Sequence, residues 1–251
     1  MDNFIIKITK NTGDELLSWF KEDENLSSLR KGSKDVVTDY DKKADEMIIK
    51  EIESAYPHHN LLTEESGEKN KGSEYTWIVD SLDGSGNFAN GNPLFSVCIA
   101  LMKNEELVLG ATYAPFLDEF YFAKKGEGAF LNGEKISVTS NELKSSYLVF
   151  CDGGEKDKEM LSSKLSSLFK EAVDLRKIGS AGVETGWLAS GRVDGFIVFQ
   201  ADPWDLASGA LIVREAGGFV SDFEGFPWEA KRGDFIFSNS INHNQIKSIL
   251  S

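Results

Sequence analysis

The chain has 251 residues, of which 41% are hydrophobic and 27% are charged, with 41 Asp and Glu against 27 Lys and Arg. The resulting net charge of -14 argues against binding to nucleic acid or to an anionic membrane, since both would be repelled. A small phosphorylated substrate would be repelled as well, unless a bound cation reverses the local charge.

The rare residue types narrow the chemistry further. Two cysteines, Cys98 and Cys151, form no disulfide framework, and the N-terminus lacks the plan of a signal peptide, so we expect a cytoplasmic protein. Only three histidines occur, and the adjacent pair His58 and His59 is predicted to lie in a surface loop. Such scarcity disfavours zinc hydrolases and Ser-His-Asp catalysis, and it leaves metals with oxygen ligands.

The first half of the chain is predicted to combine helices with an antiparallel sheet. Hydrophobic spacing indicates one helix over residues 3–22, weakened in its middle by Asn11 to Gly13, and another over residues 41–55. The polar stretch 22–34 is expected to be a mobile loop. Strands are predicted at 60–63, 75–79, 95–102, 107–113 and 119–123, followed by a hairpin over 128–133.

From residue 147 onward strands and helices alternate, which predicts an α/β second half. The strands are expected at 147–151, 174–178 and 195–199, and the helices at 156–169, 182–190 and 205–216. We therefore divide the chain into an α+β half, residues 1–145, and an α/β half, residues 146–251, within one compact unit.

One acidic run carries most of the functional information. Asp80-Ser-Leu-Asp83-Gly84-Ser85 follows a short apolar strand, so two carboxylates meet a glycine and a hydroxyl at a strand end. Burying such carboxylates without a cation is costly, and carboxylates are the ligands that Mg²⁺ prefers. Other acidic positions at element ends are Asp41, Glu64 with Glu65, and Asp205, although Asp205 taken alone is better explained as a helix cap.

Competing motifs fail on specific residues. An EF-hand starting at Asp39 would need glycine at the position of Ala44 and glutamate at that of Lys50. A haloacid-type phosphatase would use Asp39-Tyr-Asp41 after a strand, but it would not place Lys43 behind it. No nucleotide-binding Gly-x-Gly-x-x-Gly or Gly-Lys-Ser/Thr loop is present.

Several segments, taken together and in this order, resemble the inositol monophosphatase family of magnesium-dependent, lithium-sensitive phosphatases. The four main ones are Asp35-Val-Val-Thr-Asp-Tyr-Asp41, Leu62-Thr-Glu-Glu-Ser66, Trp77-Ile-Val-Asp-Ser-Leu-Asp-Gly-Ser-Gly-Asn-Phe88 and Trp204-Asp-Leu-Ala-Ser-Gly-Ala-Leu-Ile-Val-Arg-Glu-Ala-Gly-Gly218. Gly179-Ser-Ala181 and Ala189-Ser-Gly-Arg-Val-Asp-Gly195 add to the likeness, which spans roughly residues 30 to 240.

The resemblance implies a layered α/β/α/β/α sugar-phosphatase fold and a site built from both halves. The implied metal ligands are Glu64, Asp80, the carbonyl of Leu82, Asp83 and Asp205. The implied catalytic residues are Asp41, Glu64 and Ser85, and the implied phosphate and substrate contacts are Gly84, Ser85, Gly179, Ser180 and Ala181. It further implies two or three Mg²⁺ ions, replaceable by Mn²⁺, in-line attack by an oriented water, and a homodimer.

Departures from the family pattern bear on the substrate. Ser81 replaces a usual proline, Ser85 a threonine, and Thr63 a common glycine. Val198 stands where inositol-selective members carry a glutamate, and valine cannot bind a substrate hydroxyl. This departure weakens the inositol assignment without affecting the phosphatase one. From the resemblance as a whole we expect hydrolysis of a small polyol or sugar phosphate, with inositol monophosphate as the first candidate. Fructose 1,6-bisphosphate is the alternative, and histidinol phosphate and 3′-phosphoadenosine 5′-phosphate follow. An inactive metal- or phosphate-binding protein is disfavoured because all the implied catalytic side chains are present.

Overall fold

The computed structural model describes residues 1–22, 39–153 and 157–250. The predicted loop over 22–34 lies outside the described residues except for its first residue, and so do residues 35–38 of the first family-like segment. The start of the helix predicted at 156 lies outside them as well.

The first of two sheets contains eight strands in the described chain, in the order β2-β1-β3-β4-β5-β6-β7-β8. Their bounds are β1 Asn60–Thr63, β2 Gly67–Lys69, β3 Tyr75–Asp83, β4 Ser96–Lys103, β5 Glu106–Ala114, β6 Glu119–Lys124, β7 Gly128–Leu131 and β8 Glu134–Ile136. All neighbouring pairs are antiparallel except β1 with β3. The predicted antiparallel meander and the hairpin that continues it are therefore confirmed.

The second sheet has five strands in the order β10-β9-β11-β13-β12. The bounds are β9 Tyr147–Cys151, β10 Asp174–Arg176, β11 Gly195–Ala201, β12 Phe219–Asp222 and β13 Gly233–Ser238. Strands β10, β9 and β11 run parallel, and β13 pairs antiparallel with both β11 and β12. This sheet therefore contains both parallel and antiparallel pairs, and the prediction for this part of the chain, alternating strands and helices, is confirmed.

Seven helices in the described ranges complete the layers. They are α1 Asp2–Glu22, α2 Asp39–Ala55, α3 Ser85–Ala89, α4 Lys158–Glu171, α5 Ala181–Ala189, α6 Pro203–Glu215 and α7 His243–Leu250. Helices α1 and α2 pack on one face of the first sheet, α5 and α6 lie between the sheets, and α4 and α7 cover the far face of the second sheet. The layered α/β/α/β/α architecture is confirmed.

Helix α1 continues through the segment that was expected to weaken it. Ile5, Ile8 and Leu16 are buried against the first sheet, as the hydrophobic spacing predicts. A Cβ atom at Gly13 would overlap the ring of Tyr113 on β5. The glycine thus lets the helix approach the sheet closely, and this packing outweighs its low helix propensity.

Several elements were not predicted or were bounded differently. Strand β2, the short helix α3 and the elements after Gly218 had no assignment, and β3 extends four residues beyond the predicted end at Val79. The surface-loop prediction holds for His58, which is exposed, but His59 is half-buried. The His59 ring stacks on Tyr56 and Tyr75, and so it contributes to packing.

Candidate active site

The two carboxylates of the acidic run, Asp80 and Asp83, lie at the end of strand β3, where a β-bulge interrupts the pairing with β4. Asp80 pairs with Cys98 and Asp83 pairs with Ser96. Between these two pairs, β3 therefore contains one residue more than β4. Side chains three residues apart in a regular strand point to opposite faces, and one inserted residue brings them to the same face. The bulge therefore directs both carboxylates toward the layer between the sheets.

Asp83 joins the first sheet to helix α5 of the second half. Its Oδ1 accepts the backbone N–H of Ala181 at 2.8 Å, and its Oδ2 accepts that of Gly182 at 2.9 Å and the hydroxyl of Ser180. Ser96 on β4 donates to the same Oδ2 at 2.6 Å. A carboxylate at the N-terminus of a helix accepts hydrogen bonds from the free N–H groups and is attracted to the positive end of the helix dipole.

Asp41 and Glu64 reach the site from two further elements. Asp41 is buried in the first turn of α2, and its carbonyl accepts the Ser81 hydroxyl at 3.0 Å, which ties the helix to β3. Glu64 follows directly after β1, and its N–H donates to the Val79 carbonyl at 3.3 Å. Parallel pairing of β1 with β3 thus places Glu64 beside the end of the acidic strand.

Asp205 belongs to helix α6, which begins two residues earlier than predicted. Asp202 is the N-cap residue, and Asp205 in the first turn accepts the Asp202 N–H at 2.8 Å through Oδ2. The capping role considered for Asp205 therefore exists, but as the third-position partner of a capping box. Asp205 also lines the cleft described next, so the same side chain faces the site.

A cleft of about 680 Å³ opens between the two sheets. Eight residues singled out from the sequence line it: Glu64, Asp83, Gly84, Ser85, Gly179, Ala181, Val198 and Asp205. Asp41, Asp80, Leu82 and Ser180 do not line it and are buried behind its wall. The Ser180 hydroxyl donates to Asp83 instead of facing the cleft. Of the three predicted substrate contacts Gly179, Ser180 and Ala181, the first and the last therefore line the cleft.

Loss of hydration, and after it repulsion between the carboxylates, raises the pKa values of the acidic side chains. The Glu64 side chain is reached by solvent from the cleft, yet desolvation of its carboxyl by the surrounding protein, followed by repulsion from Asp205, raises its pKa to about 8. Partial burial, opposed by the Asp202 N–H, raises the pKa of Asp205 to about 7. Burial, followed by repulsion from Glu64, raises the pKa of Asp80 well above its usual range.

Burial also raises the pKa of Asp83, while its four hydrogen-bond donors act in the opposite direction. Within residues 1–22, 39–153 and 157–250, no three Asp, Glu, His or Cys side chains stand close enough as they are to enclose a metal ion. The carboxylates still fit a hard divalent cation, because Glu64, Asp83 and Asp205 line the same cleft and each has a raised pKa. A cation would relieve their mutual repulsion.

Two basic side chains that the sequence patterns did not single out line the cleft. Lys177 pairs with Asp152 at 2.8 Å, and Arg232 pairs with Asp202 at 2.5 Å. They come from segments outside the family-like motifs, and no local pattern marks them. Ser96 was missed as well; its only signal is a hydroxyl within the apolar run Leu94 to Leu101.

No helix in the described part of the chain is long and apolar enough to cross a membrane.

Comparison with known proteins finds relatives that match nearly the whole length of this chain. The chain is 36% identical over 250 residues to a fructose-1,6-bisphosphatase/inositol-1-monophosphatase of Thermotoga maritima, covering 99% of this chain and 95% of that protein. It is 40% identical over 228 residues to an inositol monophosphatase of Dictyostelium discoideum, covering 88% and 84%.

Among solved structures, the extragenic suppressor protein suhB of Bartonella henselae matches with a TM-score of 0.92 and 32% identity, covering 99% of this chain and 97% of that one. The sequence profile of the inositol monophosphatase family matches residues 1–251. The family resemblance, the layered fold and the phosphatase activity inferred from the sequence are thereby confirmed. The chain belongs to the inositol monophosphatase family and is a phosphoric monoester hydrolase.

Proposed function

We propose that this phosphatase hydrolyses the phosphate monoester of a small polyol or sugar, inositol monophosphate first, in a reaction that depends on Mg²⁺. The observation that carries the proposal is the shared space of the acidic side chains. Glu64 and Asp83 come from the first sheet and Asp205 from helix α6, and all three line one cleft. The raised pKa values of Glu64 and Asp205, about 8 and about 7, support a site made for a cation.

The residues that would hold two or three Mg²⁺ ions, or Mn²⁺, are Glu64, Asp80, Asp83 and Asp205, with the carbonyl of Leu82. When bound, such ions neutralise the phosphate, lower the pKa of a coordinated water and stabilise the departing alcohol oxygen. Inhibition by lithium belongs to the same proposal. The near absence of histidine is consistent with it, because acid and base functions then fall to carboxylates and water.

The chain's own groups would bind and orient the reactants. The Asp41 carboxylate would accept a hydrogen bond from the attacking water, and the Ser85 hydroxyl would bond to the same water. Glu64 lines the cleft as well. Gly84 has a φ of +81°, and a Cβ atom there would come 3.0 Å from the Leu94 carbonyl. Glycine is therefore required where the backbone turns from β3 into α3, and this turn would present the N–H groups of Gly84 and Ser85 to the phosphate.

One observation favours fructose 1,6-bisphosphate as the second candidate substrate. Val198 lines the cleft at the position where inositol-selective members carry a glutamate, and the cations Lys177 and Arg232 line it as well. A second phosphate would compete with Asp152 and Asp202, their present partners, for these cations, whereas inositol monophosphate has no second anion for them. Histidinol phosphate and 3′-phosphoadenosine 5′-phosphate remain further alternatives within the proposal.

The test is phosphate release from these four substrates, measured with and without Mg²⁺. We expect Mg²⁺-dependent release from inositol 1-phosphate or fructose 1,6-bisphosphate at the highest kcat/KM. Glu64→Gln should reduce the release by at least about 100-fold, because it removes a ligand charge without disturbing a described hydrogen bond. Full activity of this variant, or release that is independent of Mg²⁺, would contradict the proposal.

Location and assembly are part of the proposal. Cys98 and Cys151 are both free, which suits the reducing cytoplasm. We propose a homodimer and no nucleic-acid or membrane partner, the latter because of the net charge of -14. Sedimentation of the purified protein at micromolar concentration measures the assembly, and a monomer at that concentration would contradict it.

A further inference from the structure

Ser96 contacts the candidate metal ligand Asp83 but belongs to none of the motifs discussed above. It is the first residue of β4 and is fully buried. Its Oγ donates to Oδ2 of Asp83 at 2.6 Å, across the bulge that separates Asp80 from Asp83. A hydrogen bond between a hydroxyl and a charged carboxylate is shorter and stronger than one between neutral groups.

The donors are distributed unequally over the two oxygens of Asp83. Oδ2 accepts from Ser96, from Ser180 and from the Gly182 N–H, while among the described residues the Ala181 N–H is the one donor to Oδ1. A carboxylate oxygen has about two lone-pair sites, so Oδ2 is saturated and Oδ1 retains an acceptor position. Since Asp83 lines the cleft, Oδ1 is the oxygen left for a cation.

The surroundings leave the Ser96 hydroxyl little freedom to turn elsewhere. A Cβ atom at Gly182 would overlap the Ser96 Oγ and would come within 2.5 Å of the Cys98 Sγ. The other neighbours of the hydroxyl are weaker partners, namely the Ser180 Oγ at 3.4 Å and the Cys98 Sγ at 3.6 Å. Close packing of α5 on β4 therefore fixes the hydroxyl on Asp83.

We propose that Ser96 is a positioning residue that holds the Asp83 carboxylate in the orientation in which Oδ1 can bind Mg²⁺. The proposal rests on the proposed function, in which Asp83 is a metal ligand. Partners that orient metal ligands in this way typically change metal affinity by about 10- to 100-fold when they are removed. We expect a loss in this range from Ser96→Ala.

The experiment is titration calorimetry of Mg²⁺ into the metal-free protein, for the wild type and for two matched variants. Ser208 on α6 is the control, because it is equally buried in the same layer and its hydroxyl lies 2.9 Å from that of Thr112. Ser208→Ala removes a buried hydroxyl without touching Asp83. Ser96→Ala should weaken Mg²⁺ binding by at least about 10-fold, and Ser208→Ala by less than about twofold.

Thermal unfolding of the metal-free variants separates positioning from loss of structure. The two alanine variants should unfold at similar temperatures, so that only the Mg²⁺ affinity distinguishes them. If Ser96→Ala does not fold, Ser96→Cys keeps the shape of the side chain with a slightly larger atom and a weak donor, and its Mg²⁺ affinity should still fall severalfold. Wild-type affinity in Ser96→Ala or Ser96→Cys, or an equal loss in Ser208→Ala, would overturn the proposal.

The calorimetric result is independent of turnover. A wild-type protein that binds Mg²⁺ but releases no phosphate would contradict the proposed function and leave the role of Ser96 supported by the affinity difference. A wild-type protein that binds no Mg²⁺ would overturn the role of Ser96 together with the ligand set.

Discussion

Asp83 has a structural role besides its proposed role as a metal ligand. All of its described hydrogen bonds are accepted ones, from two hydroxyls and two backbone N–H groups. Asp83→Asn would turn an amide NH₂ toward some of these donors and leave them without an acceptor. We expect this variant to lose Mg²⁺-dependent phosphate release and to lose about 1–3 kcal/mol in its free energy of unfolding.

Denaturant unfolding of the metal-free protein measures the second effect, with Glu64→Gln as the comparison. Glu64 is accessible to solvent and holds no described hydrogen bond through its side chain, so its neutralisation should not lower stability. An Asp83→Asn protein as stable as the wild type would show that the bonds to α5 contribute little.

The acidic side chains also predict how stability depends on pH in the absence of metal. The folded pKa values of Glu64 and Asp205, about 8 and about 7, lie above their ordinary values of 4.5 and 3.8. Between these limits the folded protein binds more protons than the unfolded chain, so its stability falls as pH rises. The contribution is complete below about pH 4 and is lost as the pH passes 8.

Thermal unfolding at a series of pH values in a chelating buffer checks this prediction. The melting temperature should decline from pH 5 to pH 8.5, and Glu64→Gln should make the decline shallower because one of the titrating groups is gone. Saturating Mg²⁺ should flatten the profile as well. A melting temperature that rises over this range would contradict the predicted sign.

At the level of elements, the contact of α1 with β5 offers a test of packing against propensity. Gly13→Ala should gain up to about 1 kcal/mol in helix propensity. The added methyl group would overlap the Tyr113 ring, and such overpacking typically costs about 1–3 kcal/mol. We expect net destabilisation in urea unfolding.

Asn11→Ala in the same helix is the control, because Asn11 is exposed and the change brings only the gain in propensity. It should stabilise the protein slightly. If Gly13→Ala were to stabilise the protein as much as Asn11→Ala, the close approach of α1 to the sheet would not depend on the glycine.

The sequence predicted most elements because their hydrophobic periodicity was strong, as in α1, α2 and the strands β4 to β6. No element was assigned after Gly218, although α7 there has an amphipathic pattern. Other misses depend on partners: strand β2 has three residues and, among the described strands, pairs with β1 alone. The extension of β3 to Asp83 depends on a bulge opposite β4, and periodicity within one strand cannot show a bulge.

The site was predictable to the extent that its residues lie in motifs. Spacing and family resemblance singled out Glu64, Asp83 and Asp205, and the fold brings them to one cleft. They did not single out the cations Lys177 and Arg232 or the hydroxyl of Ser96, because the contacts of each are with residues that are distant in sequence. Ser96 and Ser180, which share the Asp83 oxygen, are 84 positions apart.

At the scale of the whole molecule, metal binding should stabilise the fold, because the proposed ligands join the first sheet to helix α6, which packs between the two sheets. A ligand that binds only the folded state at 100 times its Kd contributes about 2.7 kcal/mol. For a chain of this size that corresponds to a rise in melting temperature of about 5–10 °C.

Differential scanning calorimetry with and without Mg²⁺ measures this shift, with Glu64→Gln as the control that should respond less. Two transitions that respond separately to Mg²⁺ would contradict a site shared between the sheets. A single transition moved by Mg²⁺ is the expected result.

The bond between Asp83 and the start of α5 has a consequence for biosynthesis. Its two partners are separated by 98 positions, and Asp205 follows later still. When the first sheet leaves the ribosome, it contains Asp80 and Asp83, but the N–H groups of α5 and the carboxylate of Asp205 have not yet been synthesised. Domains tend to form from the N-terminus during synthesis, so the nascent chain acquires its acidic centre only near the end of translation.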